Sequence, residues 1–322
     1  MVINKEGLEI MRIGNTILAT ALAATTMATA LVAATLAAPA SARTLDPAVP
    51  ADALEIMKRT QCGVKDNVPA VYRWSGKIYG RREGEPDKHL FNMEGMNTRQ
   101  CVTVTDAQRG TGYRMVSREI TLYLDPRTNE VLRAWDNPWT GKSVEVMHIA
   151  NDPVNSRPSF PVGADGKPYT INLTRMGDTL LMGVEAPLYY VNPLAGDYQD
   201  YVGNKYHAME IFDFSMPAAS LDTNTASVNP TVAWVRISDW MPWMMMEGRQ
   251  GQMVFNAMGM KLTSFDELPE VMKREVAANY PQYTAPPPVD DSRPNETTWT
   301  VFKKKIDAQR AKDAAKATGA SH

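Results

Sequence analysis

Histidine and cysteine are scarce in this chain, four and two residues out of 322. None is arranged as H-x-H, H-E-x-x-H or C-x-x-C, so no local motif builds a zinc centre. A site made of His148, His207 and a carboxylate would need distant strands to converge, and no metal is expected. A G-x-S-x-G elbow, a Walker loop and a G-x-G-x-x-G turn are also missing. The chemistries that travel with those motifs have no support, and no cofactor is implied. Charge of one sign is lacking as well: Lys+Arg 34 stand against Asp+Glu 36. That balance offers no basic patch for nucleic acid or an anionic membrane surface. After residue 42 no apolar run approaches the ~20 residues that span a bilayer, so no stable membrane insertion of a mature chain is expected.

The one long apolar run lies at the start. From Met11, MRIGNTILATALAATTMATALVAATLAAPASA has one basic residue, an Ala/Leu/Val/Thr core and the small-residue triplet Ala40-Ser41-Ala42. This is the pattern of a cleavable secretory signal. A signal peptide over 1–42, with Met11 as the better start and cleavage after Ala42, is favoured over an uncleaved anchor. The mature chain is then periplasmic or secreted. In such a compartment Cys62 and Cys101 form either a disulfide or two buried thiols.

From about Val71 to Leu262 short β-branched and aromatic segments alternate with Gly, Pro, Asn and Asp, and no helix intervenes. The pattern predicts an all-β fold: an antiparallel, lipocalin- or calycin-like barrel with C-terminal helices packed outside. A single β-rich domain over 43–280 and a Pro-rich linker with a helical tail over 281–322 complete the expected organisation. In ITLYLDPRTNEVLRAW the Asp125–Asn129 segment suits a turn with Asn129 at positive φ. Residues 118–124, 130–136 and 142–150 are therefore expected to form a three-strand meander. Helices are expected at 50–59, from a Ser264/Glu267 capping box with Leu268, Met272 and Val276 on one face, and from about Glu296 with Trp299, Phe302 and Ile306 inward.

Candidate functional residues concentrate in WDNPWTGKSVEVMHIANDPVN, 135–155. Alternation places His148 on the face of Val144 and Val146. There it is either a base oriented by Asp152 or a buried imidazole held by the backbone. His207 shares a strand face with Asp213, and the opposite face carries Tyr206, Glu210, Phe212 and Phe214, with Glu210 a carboxylate among phenyl rings. Methionine is over-represented in WMPWMMMEGRQGQMVFNAMGMKL. Core packing, an apolar ligand wall and a Cu(I) site are the three readings of that tract. Arg249 lies in a turn where it could meet an anionic group or serve the turn alone.

The segments LFNMEGMN (90–97), REITLYLDPRTNEVL (118–132), WDNPWTGKSVEVMHIANDPVN (135–155), GMKLTSFDELPE (259–270) and PPPVDDSRPNETTW (286–299) together resemble a family of exported proteobacterial proteins known only as a domain of unknown function. The resemblance implies one long domain and export, and it transfers no catalytic residue. The expected function is binding of a hydrophobic, cyclic or aromatic small molecule. Trp135, Trp139, Trp240, Trp243 and Met245 would form the wall, and Asn151, His207 and Arg249 would be polar contacts. Acid/base catalysis by His148 and Asp152 is an open addition. A non-catalytic carrier and a copper-handling protein are the alternatives.

Overall fold

A computed structural model of the protein describes residues 43–198, 205–225 and 228–319, all within one compact unit, Ala42–His322. The expected signal peptide lies outside the described residues. Helix α1 (Pro50–Gln61) opens the unit and its Pro50 occupies the first turn, where a missing N–H costs nothing. Eleven strands follow among the described residues: β1 (Ala70–Arg81), β2 (Lys88–Asp106), β3 (Gly110–Leu124), β4 (Ala134–Asp136), β5 (Ser143–Glu145), β6 (Ile149–Asn151), β7 (Asn172–Met176), β8 (Thr179–Val191), β9 (Lys205–Pro217), β10 (Thr231–Ser238) and β11 (Gln252–Leu262). Helices α2 (Glu270–Asn279) and α3 (Thr298–Gly319) close the chain.

Nine strands form one antiparallel sheet in the order β6-β3-β2-β1-β11-β10-β9-β8-β7. Two meanders, one from each half of the chain, are joined where β1 pairs with β11 over Val71–Arg81. The expected closed barrel is not what the pairing gives. The edges β6 and β7 are not hydrogen-bonded to each other among the described residues, and the order is open. The sheet nonetheless curls, because β1, β2, β3, β8, β9 and β10 all contribute side chains to one interior cavity.

Small residues let it curl. On the inner face Trp74 stands directly opposite Gly95 on β2 and Gly259 on β11. A Cβ on Gly95 would come within 2.0 Å of the Trp74 indole nitrogen. The ring therefore lies down across the sheet where a side chain would otherwise stand.

The outer face of β1, β2 and β3 is also apolar. Val71, Met96, Ile120 and Leu122 pack with Leu268, Met272, Val276 and Tyr283, so α2 covers the sheet from outside as expected. The capping box does not form. Ser264 makes no side-chain cap, residues Phe265–Glu267 form a 3-10 turn, and α2 starts only at Glu270 after Pro269. Proline at 269 fixes its own φ and disfavours helix at the residue before it, and that resets the helix start. The three inward residues of α3, Trp299, Phe302 and Ile306, are buried. The Pro-rich stretch before it runs along the sheet, with Gln100 donating to Pro287 O (2.6 Å) and Arg118 to Ala285 O (2.8 Å).

The three-strand meander is only partly present. The turn is as expected: Asn129 has φ 60 and Asp125 Oδ1 accepts the N–H groups of Arg127 and Thr128. After Leu132, however, the chain leaves β3. Strand β4 pairs with β5 in a separate two-stranded sheet, and β6 returns to pair with β3 at Glu119–Thr121. Packing causes the departure. Arg133 forms a two-bond ion pair with Glu275 of α2, and Trp135 packs edge-on against Phe91 and Trp243.

Cys62 and Cys101 are bonded to each other, which ties the C-terminal end of α1 to β2. Closing a loop of 39 residues in sequence separation restricts the unfolded chain by an amount equivalent to about 4 kcal/mol.

Candidate functional site

The tryptophans expected to wall a pocket are placed in solid packing. Trp135, Trp139, Trp240 and Trp243 join Phe91 and Tyr123 in one aromatic cluster, surrounded by buried Met241, Met244, Met246 and Met253. None of them lines either interior cavity. Met245 adopts the left-handed conformation at the end of a 3-10 turn. Met258 and Met260 are exposed on the outer face of β11.

His148 is buried, and its Nδ1 accepts the backbone N–H of Tyr123 at 3.1 Å. That acceptor role puts the proton on Nε2, which has no partner among the described residues. Burial lowers its pKa to about 4. The expected Asp152 partnership is absent: Asp152 is engaged by Arg118 (2.9 Å) and Arg293 (2.8 Å). His207 is exposed on the outer face beside Tyr189, so it shares no pocket with the buried His148. Arg249 lies exposed in its turn. Asn151 lines the smaller cavity, and its side-chain amide donates to Glu119 Oε1 at 2.6 Å.

One cavity, about 220 Å³, lies on the concave face of the sheet. Trp74 of β1 forms one wall, with Trp234 of β10 edge-on to it at 6.1 Å. Phe212 stacks on Trp234 and Phe214 continues the row. Met57 and Gln61 of α1 also line this space, so the disulfide that holds α1 also holds part of the lining. Into this apolar enclosure project Asn97, Arg99, Glu119, Thr121 and Arg236. A second cavity of about 150 Å³ shares Glu119, Ile149 and Arg236 with the first and is bounded by Asn295–Trp299 before and at the start of α3.

The two arginines differ. Arg236 lies 3.2 Å from Glu210 and donates to the Tyr206 hydroxyl. Burial would depress its pKa, and the charges of Tyr206 and Glu210 outweigh it and raise it. Burial in turn raises the Glu210 carboxyl against the pull of Arg236. Among the described residues Arg99 has no such partner. Its Nε donates to Asn97 Oδ1 at 2.9 Å, and its guanidinium stands 4.7 Å from the Tyr72 ring centre. Burial lowers its pKa, with Tyr72 and Glu119 pulling the other way. Among the described residues no group of three His, Cys, Asp or Glu converges on a metal position.

Phe212, Phe214 and Glu210 share the inner face of β9, opposite the face of His207 that was expected to reach the ligand, and Glu210 is paired with the permanently charged Arg236. Arg99, Arg236, Glu119, Trp74 and Trp234 were not anticipated as a site. Period-two alternation puts Tyr72 with Trp74 and Asn97 with Arg99 on common faces, yet nothing local says that those faces meet.

No curated protein and no solved structure matches the chain. One family does, over residues 67–306, a span that runs from just before β1 to the last buried residue of α3 and holds every cavity-lining side chain except Met57 and Gln61. The chain belongs to that family, described as a protein of unknown function (DUF1838).

Proposed function

We propose that this is an exported, periplasmic or secreted protein that binds a small aromatic or cyclic molecule in the concave cavity of its sheet. The observation that carries this reading is the cavity itself: about 220 Å³, walled by Trp74, Trp234, Phe212 and Phe214, with a few convergent polar groups. Apolar cavities of ~150 Å³ already hold benzene, and sparse polar groups in an aromatic enclosure are the usual make-up of a ligand site. The curled sheet would act as an incompletely closed, calycin-like barrel. The Cys62–Cys101 bond supports an oxidising compartment.

Chemistry at His148 has little support, since its acceptor nitrogen is occupied and it faces no cavity. Glu119 is the carboxylate of the lining and the acid/base group the cavity offers. A carrier role requires none. Copper handling is disfavoured by the burial of four methionines within the aromatic core.

Titration with the neutral dye N-phenyl-1-naphthylamine tests the reading. We expect saturable fluorescence enhancement at one site, abolished by Val232→Phe, which fills the cavity. Native mass spectrometry of the exported protein would identify a retained ligand. Absence of any saturable binding, or binding indifferent to Val232→Phe, overturns the proposal.

A further inference from the structure

We propose that Arg99 anchors a ligand carboxylate, and that the molecule taken up is an aromatic monocarboxylate whose ring lies against Trp74, Trp234 and Phe212. This rests on the cavity being a ligand site and goes one step further, to the charge of the ligand.

The argument is a hydrogen-bond count. A guanidinium carries five N–H donors and cannot act as an acceptor. Arg99 uses one, Nε to Asn97. Its four Nη donors have no acceptor among the described residues, and no carboxylate oxygen lies within 4.0 Å. Glu119, the acidic group of the same lining, stands diagonally across the β2–β3 register, opposite Asn97 and not opposite Arg99. One of its oxygens already accepts from Asn151. The Nε side of the fork is closed by Asn97, which leaves the Nη1–Nη2 edge for a planar two-oxygen acceptor.

Arg99 is half-buried and its Nη donors are open to solvent, whereas donors beside it are fully enclosed. Trp74 Nε1, Trp234 Nε1 and Arg236 Nε are buried without partners, and all three are donors on residues that line the cavity. Each of these donors lacks an acceptor, even with the Glu119 carboxylate in the same lining. Arg236 is already paired with Glu210 at 3.2 Å, so among the described residues Arg99 is the lining arginine whose fork has no close ion pair, with Glu119 acting on it only from further off. That suits a monoanion better than a doubly charged phosphate.

Paired probes provide the test: 1-naphthoate and its neutral isostere 1-naphthamide, titrated calorimetrically into the full protein. The naphthoate should bind at least tenfold more tightly. Arg99→Met should abolish that preference while keeping naphthamide affinity within about twofold, and Arg99→Lys, which retains the charge without the fork, should restore part of it. Equal binding of acid and amide to the wild type overturns the anchor even if Arg99→Met does not fold. So does a preference that survives Arg99→Met. In both cases binding of N-phenyl-1-naphthylamine leaves the ligand site standing. Failure of all three probes removes the site and the anchor together.

Discussion

The Trp74 indole lies over Gly95, so close that a methyl group on Gly95 would sit 2.0 Å from its Nε1 and 2.1 Å from its Cε2. The contact is with the body of a rigid ring and not with a flexible tip. A Gly95→Ala substitution must therefore lift the indole off the sheet and into the cavity. We expect a loss of about 2 kcal/mol by chemical denaturation, the scale of overpacking in a filled interior, together with loss of dye binding. Gly141→Ala offers a contrast: nothing crowds its Cβ position, but its φ of +68 predicts a smaller cost with binding intact.

The two tryptophan groups should separate stability from binding. Trp243 is 2% exposed and packs on Phe91, Tyr123 and Trp135. Trp243→Ala should cost roughly 3–5 kcal/mol, and the cavity should keep its affinity for the dye in whatever fraction folds. Trp234→Leu should do the reverse, weakening binding at least tenfold for a smaller loss in melting temperature. Dye titrations on the folded fraction of each variant decide it.

His148 makes the fold sensitive to acid. Its native pKa is about 4 against ~6.5 in an unfolded chain, so between those values the unfolded state binds the proton and the native state does not. Stability is therefore undiminished above about pH 6.5 and declines as the pH falls towards 4. The loss attributable to this residue reaches about 3 kcal/mol. His148→Asn, which keeps an acceptor for the Tyr123 N–H, should flatten that part of the pH profile in urea unfolding at pH 4.5 and 7.

Reduction of the Cys62–Cys101 bond should act on both stability and binding. The Cys62→Ser/Cys101→Ser double variant is expected to lose about 4 kcal/mol. Because Met57 and Gln61 of α1 line the cavity, dye affinity should also fall, by a few-fold. An unchanged affinity at full folding would separate α1 from the site.

Much of the architecture was legible locally. Asn129 at positive φ, a short helix from residue 50, the apolar face of α2 and the Trp299/Phe302/Ile306 stripe all follow from residue types at fixed spacing. The separation of β4 from β3 did not, because Arg133 leaves the meander to meet Glu275, 142 residues away. The site was misjudged for a similar reason. Trp139 and Trp240 look alike as wall or core until their neighbours are known, and in place their rings lie tilted against each other with centroids 5.1 Å apart.

Alternation and turn chemistry act over a few residues, so sequence alone located most of the long strands and separated the two faces of each, without saying which face is the inner one. Which inner faces meet was decided by the pairing of β1 with β11, strands about 180 residues apart in the chain. That pairing brings Arg99 from one meander and Trp234 with Arg236 from the other around a single cavity. It also leaves Arg99 without a close ion pair among the described residues, which only the assembled geometry can specify.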